Sequence, residues 1–275
     1  MEKTKILTDS ELQKIAYFLQ KDSGISLDEQ KLQRFRGKIE EIVKKYSHDD
    51  FHNFYHRLRF LNDQHIKQDL INAITVNETY FWRESEQFFI LCDEILPKII
   101  GKKNMPKVRI LVSPSSSGEE LYSIMLAILN TKGLLEKAYI ELVGIDIDSM
   151  MITKAKKGLY DKRSVSKLPQ NLLEKYFTKE KNYYKIDETL KQSATFLQKN
   201  IFDLSLEKEL GKFDIIFSRN MLIYFNLEDK KRCYEQFDRL LKEDGYLFLG
   251  HADSNNIDKS KFKPILAHSY VFQKS

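Results

Sequence analysis

Val108-Arg-Ile-Leu-Val-Ser-Pro-Ser-Ser-Ser-Gly-Glu-Glu120 decides the reading of this chain. Five residues, four of them apolar, form a short run that breaks into a turn of hydroxyl side chains and opens, past one glycine, on two acids. That order predicts a buried parallel strand feeding straight into a helix. Small side chains and free backbone N–H groups then stand at the helix N-terminus, a place suited to a polar or anionic ligand. The turn is not GxGxxG, since Gly118 is its only glycine, and no Gly-Lys-Ser/Thr follows, which argues against a phosphate-hydrolysing loop.

Working outward, the same alternation repeats. Tyr139–Ile145 predicts a second strand, followed by a helix from Asp148 to Lys157 closed by Gly158. Phe213–Ser218 predicts another strand before the helix Leu227–Leu241; Lys242-Glu-Asp-Gly then turns into the strand Tyr246–His251, and Pro264–Gln273 returns as an antiparallel strand. Strand and helix in alternation make an α/β doubly wound, mostly parallel sheet. Upstream the period is helical throughout. Leu12, Ile15, Phe18 and Leu19 follow the expected N-cap Ser10, and Leu32, Phe35, Ile39, Val43 and Tyr46 form a second stripe. The expected organisation is a helical domain over 1–72, a linker and helix over 73–106, and the sheet domain over 107–275 with a β-hairpin inserted at about 177–192.

With 275 residues and 42% hydrophobic content, the chain can bury a substantial core. The longest apolar runs, near Phe88–Cys92 and Asp214–Phe217, are far too short for a membrane span, and Met1-Glu-Lys-Thr-Lys has no leader-like apolar stretch. The reading is therefore cytoplasmic, without membrane insertion. A net charge of +5 made of 45 basic and 40 acidic residues is a mixed surface and not a nucleic-acid footprint. Cys92 and Cys233 read as structural thiols, and His48, His52 and His56 as a solvated helix edge; no metal site is expected. Lys31, Arg34, Lys38 and Lys45 share one helical face. Six Lys or Arg against Glu40 and Glu41 between residues 31 and 45 give a local excess of four. That face is either solvated or a dock for an acidic helical partner.

Ligands of such sheets bind beyond the carboxyl ends of the strands, where the strand order switches. At those ends stand Ser113–Glu120, Asp146, Lys199-Asn200-Ile-Phe-Asp203 and Ser218-Arg-Asn-Met-Leu-Ile-Tyr-Phe225. Asp146 can accept both hydroxyls of a ribose, Asn200 can read an adenine edge, and Asp148 is better placed as a helix N-cap. This ring of small and polar groups suits an adenosine-containing ligand.

Four segments resemble the motifs of the CheR family of chemotaxis receptor glutamate O-methyltransferases: Thr75-Val-Asn-Glu-Thr-Tyr-Phe-Trp-Arg-Glu84, Ser116-Ser-Gly-Glu-Glu-Leu-Tyr-Ser123, Gly144-Ile-Asp-Ile-Asp148 and Ser218–Phe225. Asp244–His251 extends the likeness to nearly the whole chain. The resemblance implies a class I S-adenosylmethionine (SAM)-dependent methyltransferase fold. It also implies methyl transfer from SAM to receptor glutamates, with S-adenosylhomocysteine as product. It places Asn77, Thr79 and Arg83 by the methionine portion and the reaction centre, and Glu120 or its neighbour Glu119, Asp146, Asn200, Ile201, Arg219 and Asn220 around the rest of the cofactor. Arg83 and Tyr224 are the implied catalytic residues, Tyr224 facing the transferred methyl. The implied partners are methyl-accepting receptor helices, met by a monomer through the basic helix. Two departures stand out: Pro114 where the family usually has glycine, and His251-Ala-Asp253 where it commonly has His-Ser-Glu. Two other readings remain, a nucleic-acid methyltransferase and a CheR-like interaction module without catalysis. The first lacks the Asn/Asp-Pro-Pro-aromatic signature; only Pro114 supports the second.

Overall fold

A computed structural model describes residues 7–48, 50–101, 105–253, 257–265 and 268–275. Met1–Lys5, used above to exclude a leader, lie outside the described residues. The chain divides into two compact units: residues up to Val76 with Tyr224–Lys230, and Asn77–Ile223 with Lys231–Ser275.

In the first unit, α1 (Asp9–Ser23), α2 (Glu29–Ser47), α3 (Phe51–Arg59) and α4 (Gln64–Ile74) each start on a side-chain cap. The cap of α1 is Thr8, not the expected Ser10: Thr8 Oγ1 takes the Glu11 N–H while the Glu11 carboxylate takes the Thr8 N–H, a reciprocal pair with a charged acceptor. Leu12, Ile15, Leu19, Ile39, Val43, Phe54 and Ile66 are fully buried and form the helical core. Tyr224–Lys230 joins this unit through an Ile25–Phe225 bridge and a bond from Ser26 N–H to Tyr224 O (2.9 Å). On α2, Arg36 is buried and tied to Leu7 O, Asp9 and Glu40, so it drops out of the basic excess counted from sequence. Lys31 pairs with Asp28 (3.4 Å) and Lys45 with Asp69 (2.7 Å).

The second unit is built on a seven-stranded sheet. Its strands are β1 (Lys107–Val112), β2 (Tyr139–Asp146), β6 (Ala194–Gln198), β7 (Phe213–Ser218), β8 (Leu241–Leu249), β9 (Phe262–Ile265) and β10 (His268–Lys274). The order is β6-β2-β1-β7-β8-β10-β9. The first five run parallel; β10 returns antiparallel to β8 and β9 antiparallel to β10. Because the chain builds outward from β1 through β2 to β6, and then restarts at β7, the order switches between β1 and β7. Val108, Ile110, Leu111, Val112, Ile215, Ile216 and Phe217 are fully buried along those two strands, as expected for a sheet covered on both faces.

The turn expected at Lys242–Gly245 is a register shift inside β8. Asp244 sits at φ 61°, and a Cβ on Gly245 would lie 2.8 Å from Lys242 O. The inserted hairpin is larger than the sequence suggested. β4 (Phe177–Glu180) and β5 (Tyr183–Ile186) pair as expected, but β3 (Leu159–Asp161) adds a third strand on the other side of β5. Cys92 and Cys233 are buried free thiols, and burial pushes both thiols upward, Cys92 to about 11. Among the described residues no helix is long and apolar enough to cross a membrane, and no His, Cys, Asp and Glu cluster could hold a metal.

Candidate active site

The polar groups collect where β1 and β7 part. Beyond β1 the loop passes through a cis Ser113–Pro114 bond. Pro114 has no N–H, and the next two donors are used by the sheet: Ser115 N–H donates to Ile145 O (2.8 Å) and Ser116 N–H to Asp146 Oδ2 (2.7 Å). The loop is thereby stitched to the end of β2. Gly144 permits this closeness, since a Cβ there would meet Ser115 Cβ at 2.8 Å. Gly118, at φ 94°, then starts the helix Glu119–Asn130.

Asp146 is 5% exposed. Its Oδ1 accepts the Asp148 N–H (2.8 Å) as Oδ2 accepts that of Ser116. Burial outweighs these bonds and raises its carboxyl from 3.8 to about 6. Asp148 caps the helix Ser149–Lys157, as read from sequence, and does a second thing the sequence did not show: its Oδ2 accepts the Asn77 side-chain amide (2.8 Å). Lys199 N–H closes the group by donating to Asp146 O (3.0 Å), which brings Asn200 and the buried Ile201 to the end of β2. Asn200 turns its own Oδ1 onto the Phe202 N–H (3.0 Å).

A second cluster holds the far end of the Asn77–Glu84 segment. Arg219, with its side chain wholly buried, donates through Nη2 to Arg83 O (2.5 Å). Its Nε lies 3.3 Å from Glu84 Oε2 and its Nη1 3.8 Å from Glu120 Oε2, ion-pair distances without hydrogen-bond geometry. Burial pushes the Glu120 carboxyl up, while Arg219 pulls it back down. Glu84 Oε2 also accepts from Gln87 Nε2 (3.1 Å) and lies 3.4 Å from His251 Nδ1. Gln87, fully buried, donates to Leu249 O (2.9 Å) as well, so the end of β8 fixes Glu84. The Arg83 side chain is half-buried and donates to Glu78 O (3.0 Å).

The two adjacent acids of the loop have different settings. Glu119 is buried and accepts Ser164 Oγ (2.7 Å) and Ser117 Oγ (2.8 Å), so it braces the chain; Glu120 faces Arg219. Asn220 adopts φ 58° against Gly250, Thr79 is half-buried within the pinned segment, and Asp253 accepts the Ile223 N–H (3.1 Å), bracing the loop after β7. Tyr224 belongs to the helical unit. Glu84, Gln87, Ser164 and Asp253 were not singled out as site residues from sequence, although Glu84 ends a quoted motif.

Ser115 Oγ, Ser116 Oγ, Ser218 Oγ, Glu120 Oε1 and Arg219 Nη1 are buried without hydrogen-bond partners. Each such atom costs about 1–3 kcal/mol unless something satisfies it, and together they ask for a ligand rich in hydroxyl, amine and carboxylate groups. An adenosine carrying an amino acid has those groups. The family description "CheR methyltransferase, SAM binding domain" matches residues 77–271. The chain belongs to the CheR methyltransferase family. Relatives called chemotaxis protein methyltransferase agree along nearly full length. One from Vibrio cholerae is 34% identical over 98% of this chain and 92% of its own. One from Campylobacter jejuni is 35% identical over 92% of both, and one from Borreliella burgdorferi 30% identical over 90% and 89%. This CheR-family chain is thus a SAM-dependent methyltransferase of chemotaxis on a mostly parallel sheet with an added antiparallel one, and SAM is its cofactor.

Proposed function

We propose that this enzyme esterifies the side-chain carboxylate of glutamate residues on cytoplasmic helices of chemotaxis receptors, working as a cytoplasmic monomer and releasing S-adenosylhomocysteine. The observation that supports it most is the pinned Asn77–Glu84 segment, held to Asp148 at one end and to Arg219 at the other. It holds a cation, Arg83, in a fixed place beside the strand ends. Bound SAM supplies an electrophilic methyl on a sulfonium. A glutamate is already ionised at neutral pH, so its oxygen can attack that carbon without a base while the carbon–sulfur electron pair leaves with sulfur.

The chain's task is then alignment and partial desolvation, effects worth roughly 7–11 kcal/mol when geometry is good. We assign Asp146 to the ribose hydroxyls, Asn200 and Ile201 to the base, and Glu120, Arg219 and Asn220 to the amino-acid portion, with Asn77 and Thr79 beside it. Glu119 is dropped from direct binding, because both its oxygens are taken by serines. Arg83 keeps the reaction centre, steering one of the carboxylates; the assignment of Tyr224 rests on the family resemblance alone. Arg34 and Lys38 on α2, together with Lys31 and Lys45, form a docking face for receptor helices. Transfer of labelled methyl to receptor-containing membranes tests the reading. A glutamyl ester releases its label as methanol in mild base, so label that survives base would overturn it.

A further inference from the structure

Charge on this chain is unevenly placed. Residues 154–191 hold eleven Lys or Arg against five Asp or Glu, a surplus of six, whereas the whole chain carries only +5. Everything outside that stretch therefore sums to −1. Part of the surplus has a local explanation: Lys154, Lys156 and Lys157 end the helix Ser149–Lys157, where cations complement exposed carbonyls. The turn that follows β3 has none. Lys162 and Lys167 are exposed and, among the described residues, neither has an ion-pair or hydrogen-bond partner for its ammonium.

This turn is held against the reaction-centre segment. Phe81 N–H donates to Ser164 O (2.9 Å), Ser164 Oγ donates to Glu119 (2.7 Å), and Arg163 pairs with Glu78 (2.7 Å). The backbone beneath is tied down. Ser164 N–H is taken by Asp161 Oδ1 (2.8 Å), and Val165 and Leu168 are buried. Two unpaired ammonium groups are thus presented on a fixed loop bonded directly to the segment that carries Arg83. Charges act over about 8 Å at physiological ionic strength, so a loop in direct contact with that segment lies within range of substrate bound there.

We propose that Lys162 and Lys167, flanking Arg163, form an electrostatic rim that docks the acidic side of the substrate helix next to its methyl-accepting glutamate. This rests on the reading of the substrate given above. Glutamates offered for esterification are anions until they are methylated, so the substrate helix carries the negative charge such a rim complements. The rim sets substrate affinity and register, and takes no part in binding SAM.

The test is the full-length double variant Lys162→Glu, Lys167→Glu, which leaves the Arg163–Glu78 pair in place. Methyl transfer to receptor-containing membranes is measured at low and high ionic strength, and SAM binding by calorimetry. The expected result at low salt is a rise of about tenfold in KM for receptor, with kcat at saturating receptor and SAM affinity both unchanged. Wild-type KM should climb with salt more steeply than that of the variant, which keeps the basic α2 face, while Lys162→Arg, Lys167→Arg should behave as wild type. Unchanged KM and salt dependence would overturn the rim while leaving the functional reading standing. So would a fall in kcat or SAM affinity at constant KM, which would mark the turn as structural. A wild-type chain that esterifies no receptor would overturn the functional reading itself, and the rim with it.

Discussion

Asp146→Asn separates the two jobs of one carboxylate. In the native state its two oxygens accept the Ser116 and Asp148 N–H groups, yet burial still lifts its carboxyl from 3.8 to about 6. The sign follows from proton counting. Between those two values the unfolded chain gives up the proton before the native one does, so native stability falls as pH rises through the window and stays reduced above it. At pH 7 the penalty is about 3 kcal/mol. Asparagine removes the buried charge and with it the penalty. Its amide has one acceptor oxygen, however, so one of the two backbone N–H groups then faces NH2, at about 1–3 kcal/mol. The variant should be between equally stable and about 2 kcal/mol more stable at pH 7, and its stability should lose the slope between pH 4 and 6. SAM affinity should drop about tenfold to a hundredfold, because the amide accepts poorly from two ribose hydroxyls. Urea unfolding across pH, with titration calorimetry of SAM, measures both. A variant that is less stable at pH 7 and binds SAM normally would show that Asp146 only ties the loop.

Arg219→Met removes a fully buried guanidinium and strands Glu120, so unfolding in urea should show a loss of about 3–5 kcal/mol; a loss below about 1 kcal/mol would mean that Glu120 is neutral and unpaired in the native chain. Arg83→Ala should reduce methyl transfer more than SAM affinity, and equal falls in the two would assign its guanidinium to the cofactor's carboxylate. Reversing Lys31, Arg34 and Lys38 to Glu should raise the receptor KM and leave SAM binding alone, with stability changed by less than about 1 kcal/mol per site because these side chains are exposed or half-exposed. Methylation of a receptor lacking its last few residues should match that of the intact one: the β4–β5 turn is only Lys181-Asn182, without glycine, and β4 offers an edge of four residues to a strand-adding peptide.

Long apolar strands were legible because their covered faces leave nothing else for Val108–Val112 or Phe213–Phe217 to be. What escaped was short or non-local. A three-residue strand such as β3 has no period to detect, and it exists because Leu159–Asp161 finds β5 some twenty-five residues later. The bulge in β8 looked like a turn because Asp244-Gly245 is turn chemistry; the pairing of Phe213 with Leu241 on one side of it and Ile215 with Tyr246 on the other absorbs it into a strand. Thr8 outcompeted Ser10 as a cap because only Thr8 has an acid three residues on within reach.

The site divides along the same line. Residues that would touch the cofactor sit on strand ends and in recognisable motifs, so Asp146, Arg219 and the Asn77–Arg83 segment were visible one by one. The residues that hold them in place were not, since each acts across a long stretch of chain: Gln87 reaches Leu249, 162 positions away, Ser164 reaches Glu119 across 45, and Asp253 reaches Ile223 across 30. Nothing in the neighbourhood of Gln87 distinguishes it from any half-polar helical residue. Its role comes from being fully buried with one amide shared between Glu84 and the end of β8, which places Glu84 beside Arg219 and so fixes where Arg83 leaves the backbone. The geometry of the candidate site is therefore set by polar contacts that the sheet assembles, around residues that local sequence can name.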